Sequence, residues 1–137
     1  MTSPLDILKQ YKTVAVVGAT ATEGRPGNTA PKFLIAHGFN VIPVNPNETE
    51  IFERKAYPSL SDIPEKVHIV NVFRRSEAAP AIVDEAIKIG AKVVWMQEGV
   101  EHEEAAATAR AAGLEVIMNL CIHCTVQDNE AELAASA

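Results

Sequence analysis

Positive charge and cysteine are scarce in this 137-residue chain, and long apolar runs are missing. Each shortage closes off a class of function. Twelve lysines and arginines stand against eighteen aspartates and glutamates, a formal net charge of −6. Nucleic acid and anionic membrane demand clustered positive charge, so neither is expected as the main partner. Any anion must instead be met locally, by loops. Two cysteines are too few for a disulfide framework, and the opening Met1-Thr2-Ser3-Pro4-Leu5-Asp6 lacks the basic stretch and apolar run of a secretory signal. No apolar stretch nears the length that spans a bilayer. The expectation is a cytoplasmic protein.

The length suits one compact α/β domain with a real core, and it is too short for two large ones. Ser3-Pro4-x-Asp6 has the form of a helix start, with serine as N-cap, proline at the first helical position and a carboxylate at the third. Strands are expected at 13–17, 40–44, 67–72, 92–96 and 114–118. Helices are expected at 4–11, 28–37, 76–89 (capped by Ser76) and 101–112. Residues 48–65 carry Pro58 and Pro64 with weak periodicity, and suit a loop holding a short strand and a helical turn. The domain is placed at 1–130, with 131–137 as a frayed tail.

One joint recurs. His37-Gly38-Phe39-Asn40-Val41, Ile89-Gly90-Ala91-Lys92-Val93 and Ala112-Gly113-Leu114-Glu115-Val116 each put glycine just past a helix and a strand two or three residues later. Glycine there supplies a left-handed C-cap, and three copies imply repeated βα units rather than an antiparallel sheet. Strands apolar on both faces need helices on both sides. Right-handed crossovers then give a Rossmann-like, doubly wound five-stranded parallel sheet, with expected order 3-2-1-4-5.

The segment 14–27 has the strongest chemical content. A β-branched run ends in Gly18-Ala19-Thr20-Ala21-Thr22-Glu23-Gly24-Arg25-Pro26-Gly27, and Asn28 opens a helical pattern. Strand, glycine loop and helix present backbone N–H groups and a positive helix end to phosphate. Arg25 adds charge-assisted hydrogen bonds. In such sheets ligands lie beyond the C-terminal strand ends, where strand order reverses. The other tips gathered there are 45–47, 73–75, 96–99 and, at the margin, 119–124. Arg25, Arg74 and Arg75 are three of the five arginines in the chain. A nicotinamide dinucleotide is the first ligand to weigh. However, the glycine spacing is not G-x-G-x-x-G, and strand two ends in Val44-Asn45-Pro46 rather than in the acidic residue that accepts from ribose hydroxyls. An NAD(P)-binding oxidoreductase is therefore the runner-up.

The strings Val-Ala-Val-Val-Gly (14–18), Gly-Arg-Pro (24–26), Val-Ile-Pro-Val-Asn-Pro (41–46), Ala-Tyr-Pro-Ser-Leu (56–60), Val-Phe-Arg-Arg-Ser (72–76) and Val-Val-Trp-Met-Gln (93–97) fall at every expected strand tip. Together they resemble the small stand-alone CoA-binding domain proteins, which are similar to the N-terminal domain of the succinyl-CoA synthetase α subunit. The resemblance covers residues 5–121 and implies a domain that binds coenzyme A or acyl-CoA across the tips. By position it implies that Gly18, Ala19, Thr20, Gly24, Arg25, Pro26 and Asn28 serve phosphate. Asn45, Pro46, Asn47, Phe73 and Arg74 would flank the nucleotide, and Met96, Gln97, Glu98 and Gly99 would line the pantetheine path. The phosphorylated histidine and ATP-grasp partner of succinyl-CoA synthetase lie outside the matched part. The implied role is thus a carrier, sensor or regulatory protein, with a homodimer or a protein partner expected by analogy.

No residue pair suits a nucleophile and base, and no catalytic residue is assigned. Trp95 is expected in the core. Where the family commonly reads Met-Asp-Arg-Cys-Pro with a basic tail, this chain has Met118-Asn119-Leu120-Cys121-Ile122-His123-Cys124, which keeps the cysteine and loses the proline and the basic residues. C-x-x-C is half of a zinc site or a redox pair. No sequence-local partner completes a metal site, so none is expected. The cysteines are read as ordinary thiols, with one alternative open: a mixed disulfide between Cys121 and the thiol of CoA.

Overall fold

The computed structural model describes residues 2–135. The chain runs α1 (Pro4–Gln10), β1 (Thr13–Val17), α2 (Pro26–Ala36), β2 (Asn40–Val44), β3 (Glu50–Ile51), β4 (Arg54–Lys55), β5 (Ile69–Val72), α3 (Ala79–Lys88), β6 (Val93–Met96), α4 (Glu103–Ala111), β7 (Glu115–Ile117), α5 (Ile122–Asp128) and α6 (Glu130–Ala135). Single 3-10 turns stand at Leu60–Asp62 and Ser76–Ala78.

The alternation of side chains along each strand builds two cores at once. On one face Ala15, Val17, Val70, Val72, Val94 and Met96 pack with Ala79, Val83 and Ala86 of α3 and Ala105, Ala106 and Ala109 of α4. On the other, Val14, Val16, Val41, Ile69, Val93 and Trp95 pack with Ile7 and Leu8 of α1, Leu34 of α2, Ile122 and Val126 of α5, and Leu133 of α6. The five-stranded parallel sheet with helices on both faces is as expected.

Its neighbours are not all as expected. The order is β2-β1-β5-β6-β7. The strand read as third, here Ile69–Val72, pairs in parallel with β1 (Val14 opposite Ile69, Val17 opposite Val72) and not with β2. The place beyond β2 goes to the segment after the β3–β4 hairpin, where Tyr57 makes an isolated parallel bridge to Val44. With that edge segment counted third, the order reads 3-2-1-4-5 from it through β6, and β7 follows as a sixth position.

Ser3 caps α1, its Oγ accepting from Asp6 N–H at 3.2 Å. Helix α2 starts two residues early because Pro26 takes the first helical position, with Arg25 at the N-cap. Ser76 does not cap α3; its Oγ accepts from Glu101 N–H at 3.0 Å and ties two strand tips together. The recurrent glycine joints behave alike, with φ of +88° at Gly38, +77° at Gly90 and +92° at Gly113. Of the tail expected to fray, 131–135 belong to α6 and bury Leu133, while 136 and 137 lie outside the described residues.

Candidate functional site

Two glycines allow the tips of β1, β5 and the start of α2 to meet. A Cβ on Gly18 would come within 2.5 Å of the Phe73 carbonyl oxygen, and one on Gly27 within 2.5 Å of the Gly18 carbonyl oxygen. Both obstacles are backbone, which cannot swing aside as a flexible side chain does. The loop is then laced shut by its own polar groups. Pro31 has no N–H to donate to the carbonyl four residues earlier, and that carbonyl, Gly27 O, accepts from Thr20 N–H at 3.1 Å instead. Asn28 is 3% exposed and donates through Nδ2 to Thr20 O at 2.9 Å. Asn45 Nδ2 donates to Ala19 O at 2.8 Å, while its Oδ1 accepts from Asn47 N–H at 2.8 Å.

This lacing occupies the donors of the loop. The N–H groups of residues 18–22 are all engaged: Gly18 with Val44 O, Ala19 with Val16 O, Thr20 with Gly27 O, Ala21 with Glu48 Oε2 and Thr22 with Thr20 Oγ1. The N–H groups of Arg25 and Gly27, by contrast, have no acceptor among the described residues. Donors for an anion therefore sit at the first turn of α2, not at the end of β1. An eleven-residue helix adds its positive end at the same place.

Above these tips, where strand order reverses between β1 and β5, lies an open cleft of about 560 Å³. Nine of the expected residues line it: Gly18, Thr20, Arg25, Pro26, Asn45, Phe73, Arg74, Gln97 and Glu98. Thr22, Gly27, Arg75 and Val100 line it as well. The guanidiniums of Arg25, Arg74 and Arg75 are exposed and have no ion pair or hydrogen bond among the described residues. Glu98 is the one carboxylate on the lining.

The other expected residues lie off the cleft wall. Ala19 and Met96 are fully buried in the two cores. Gly24 sits on the exposed loop at φ +86° with open space where a Cβ would go. Pro46 and Asn47 are exposed turn residues. Gly99 donates its N–H to Asn119 Oδ1 at 2.7 Å. Trp95 is buried, its Nε1–H donating to Leu120 O at 2.9 Å.

Behind Gln97 stands a buried polar partner, Asn71, that the sequence reading does not single out. Asn71, fully buried in β5, donates through Nδ2 to Trp95 O at 3.1 Å and to Gln97 Oε1 at 3.5 Å. Gln97 Oε1 also accepts from Ile122 N–H at 3.2 Å. The available signal was an amide inside the otherwise apolar Ile69-Val70-Asn71-Val72. Next to this, Cys121 and Cys124 are joined in a disulfide, so the reading of two free thiols is overturned. Among the described residues no group of His, Cys, Asp and Glu is placed to hold a metal ion. Nor does any helix there have the length and apolarity to cross a membrane.

Comparison with known proteins agrees with this architecture. Residues 12–127 match the family model described as CoA binding domain. The protein YneT of Bacillus subtilis (strain 168) is 40% identical over 117 residues, covering 85% of this chain and 87% of its own. A solved hypothetical protein from Pyrococcus horikoshii OT3 superposes with a TM-score of 0.89 at 39% identity, covering 93% of this chain and 92% of that one. Acetate–CoA ligase [ADP-forming] II of Archaeoglobus fulgidus is 39% identical over 95 residues, which span 67% of this chain and 14% of the enzyme. With nearly the whole sheet and every lined tip inside the matched stretch, the chain belongs to the CoA binding domain family.

Proposed function

We propose that the cleft binds coenzyme A or acyl-CoA, and that the protein acts in the cytoplasm as a carrier, sensor or regulatory subunit rather than as a catalyst of its own. The carrying observation is charge placement. A chain of net charge −6 holds three unpaired guanidiniums on one cleft wall, beside free N–H groups at a helix start. Guanidinium pairs with phosphate bidentately and is the side chain best suited to an exposed anion site. Arg25 and the Gly27 N–H would take one phosphate group, and Arg74 and Arg75 another. Phe73 and Asn45 would flank the nucleotide, leaving the Gln97 side for the pantetheine arm. Membership of the family supports the choice of ligand.

The test is calorimetric titration with CoA, NAD and NADP in parallel. The reading expects CoA to bind near the micromolar level, about −8 kcal/mol, and the two dinucleotides to bind far more weakly. At the end of β2, where NAD enzymes place a carboxylate, Asn45 has its amide engaged with Ala19 and Asn47. Tight NAD or NADP binding with none of CoA would overturn the reading.

A further inference from the structure

We propose that Cys121 and Cys124 form a redox-active pair that exchanges disulfides with the thiol of coenzyme A held in the neighbouring cleft. The proposal rests on the CoA reading above. The two sulfurs are bonded to each other, with Cys124 exposed to solvent and Cys121 half-buried. As a staple the bond does little. It encloses only the stretch from Cys121 to Cys124, and the stabilisation from loop closure grows with loop length. The segment is already anchored by the buried side chains of Ile122 and Val126, and by Thr125, whose N–H and Oγ1 both donate to Cys121 O, at 3.0 and 2.8 Å.

Three features suit the pair to exchange. Cys121 Sγ accepts the Cys124 N–H at 3.0 Å, a donor that remains in place to stabilise a Cys121 thiolate once the bond opens. The next residue, Ile122, donates its N–H to Gln97 Oε1, and Gln97 lines the cleft. Asn71 holds the same oxygen from beneath, so the start of α5 and the cleft wall share one buried amide. A metal reading of the motif has no support, since no further ligand stands near among the described residues.

The exchange balances with CoA disulfide as its oxidant and CoA thiol as its reductant. In the protein-oxidising direction, the Cys121 thiolate attacks one sulfur of a CoA disulfide; the S–S bond of that disulfide breaks, and the first CoA leaves as thiolate and takes a proton from water. Cys124, after losing its proton to water, attacks Cys121 Sγ, forming the bond seen here and releasing the second CoA. One disulfide and one dithiol become one dithiol-derived disulfide and two CoA thiols, with two electrons passing from the protein to the CoA disulfide. Excess CoA drives the same steps backwards.

The test compares reduced full-length protein with CoA disulfide and with glutathione disulfide at equal concentration, following intact mass and thiol loss. We expect oxidation by CoA disulfide to be at least tenfold faster, and Arg25→Ala to erase the difference. Cys124→Ser should stop at a stable CoA adduct on Cys121. Equal rates for the two disulfides, in protein that binds CoA by calorimetry, would overturn the proposal and leave the CoA reading standing. A protein that binds no CoA at all would overturn both.

Discussion

Gly27→Ala gives a prediction that isolates the packing of the phosphate loop from every other property of glycine. Gly27 lies in the first turn of α2 and has no positive φ, so alanine there carries no backbone strain. In an open helix the change would stabilise by about 0.5–1 kcal/mol. Here the new methyl would meet the Gly18 carbonyl oxygen at 2.5 Å, with Thr20 Cγ2 also at 3.6 Å. Relieving that overlap means moving the end of β1 or the start of α2, an overpacking cost of roughly 1–3 kcal/mol. The net expectation is a loss of about 1–2 kcal/mol, or roughly 3–8 °C in Tm at this chain length. Gly24→Ala is the matched control, because it meets nothing within 4 Å but has φ +86°, and tests strain without collision. Urea unfolding gives both values, and calorimetry with CoA should show Gly27→Ala losing more affinity than Gly24→Ala. If Gly27→Ala is as stable as the parent or more so, the β1 tip and α2 do not meet as described, and the site argument fails with them.

Gln97→Ala strips the acceptor from the buried Ile122 N–H and should cost about 1–3 kcal/mol in denaturant unfolding; a change near zero would mean the amide shared by β6 and α5 is ornamental. Ser3→Ala removes the α1 cap and should cost about 1 kcal/mol, read from the shift in urea midpoint. His68 is held below its ordinary value of 6.5 by burial, then by Lys66 and Lys92. The unfolded chain therefore takes up a proton at a pH where the folded one does not, and the stability this gives above 6.5 is lost as pH falls from there towards the folded value. His68→Gln should flatten stability over that interval, and an unchanged pH profile would contradict the assignment. CoA affinity should weaken as salt is raised, because the guanidiniums of Arg25, Arg74 and Arg75 are exposed and screened; a salt-independent Kd would count against a phosphate site made by them.

The elements legible in the sequence are those whose physics is local. β1 and β2 were bounded correctly, because their β-branched runs stop at Gly18 and at the Asn45-Pro46 turn. The three glycine joints appeared for the same reason, since a left-handed C-cap leaves a glycine behind. The choice of neighbour for Ile69–Val72 is not local. The strands of the five-stranded sheet are largely apolar on both faces, so nothing in 67–72 distinguishes pairing with β1 from pairing with β2. The site divides along the same line. Arg25, Phe73 and Arg74 reach the cleft from loop and strand-tip places visible in the sequence, whereas the hydrogen bonds by which Asn28 and Asn45 also bind the loop itself depend on partners 8 and 26 residues away. The role of Pro31 in freeing Gly27 O, and of Asn71 beneath Gln97, depends on partners far along the chain or across the sheet. The Cys121–Cys124 bond was legible as a motif and not as a state.

A crystal structure of the protein grown with CoA tests the central claim most directly. The account predicts an ordered CoA across the ends of β1, β5 and β6, with phosphate oxygens within hydrogen-bond distance of the Arg25 guanidinium and the Gly27 N–H, and the thiol arm passing Gln97. CoA ordered elsewhere on the molecule, or a cleft left empty at saturating CoA with the guanidiniums turned to other partners, would contradict it.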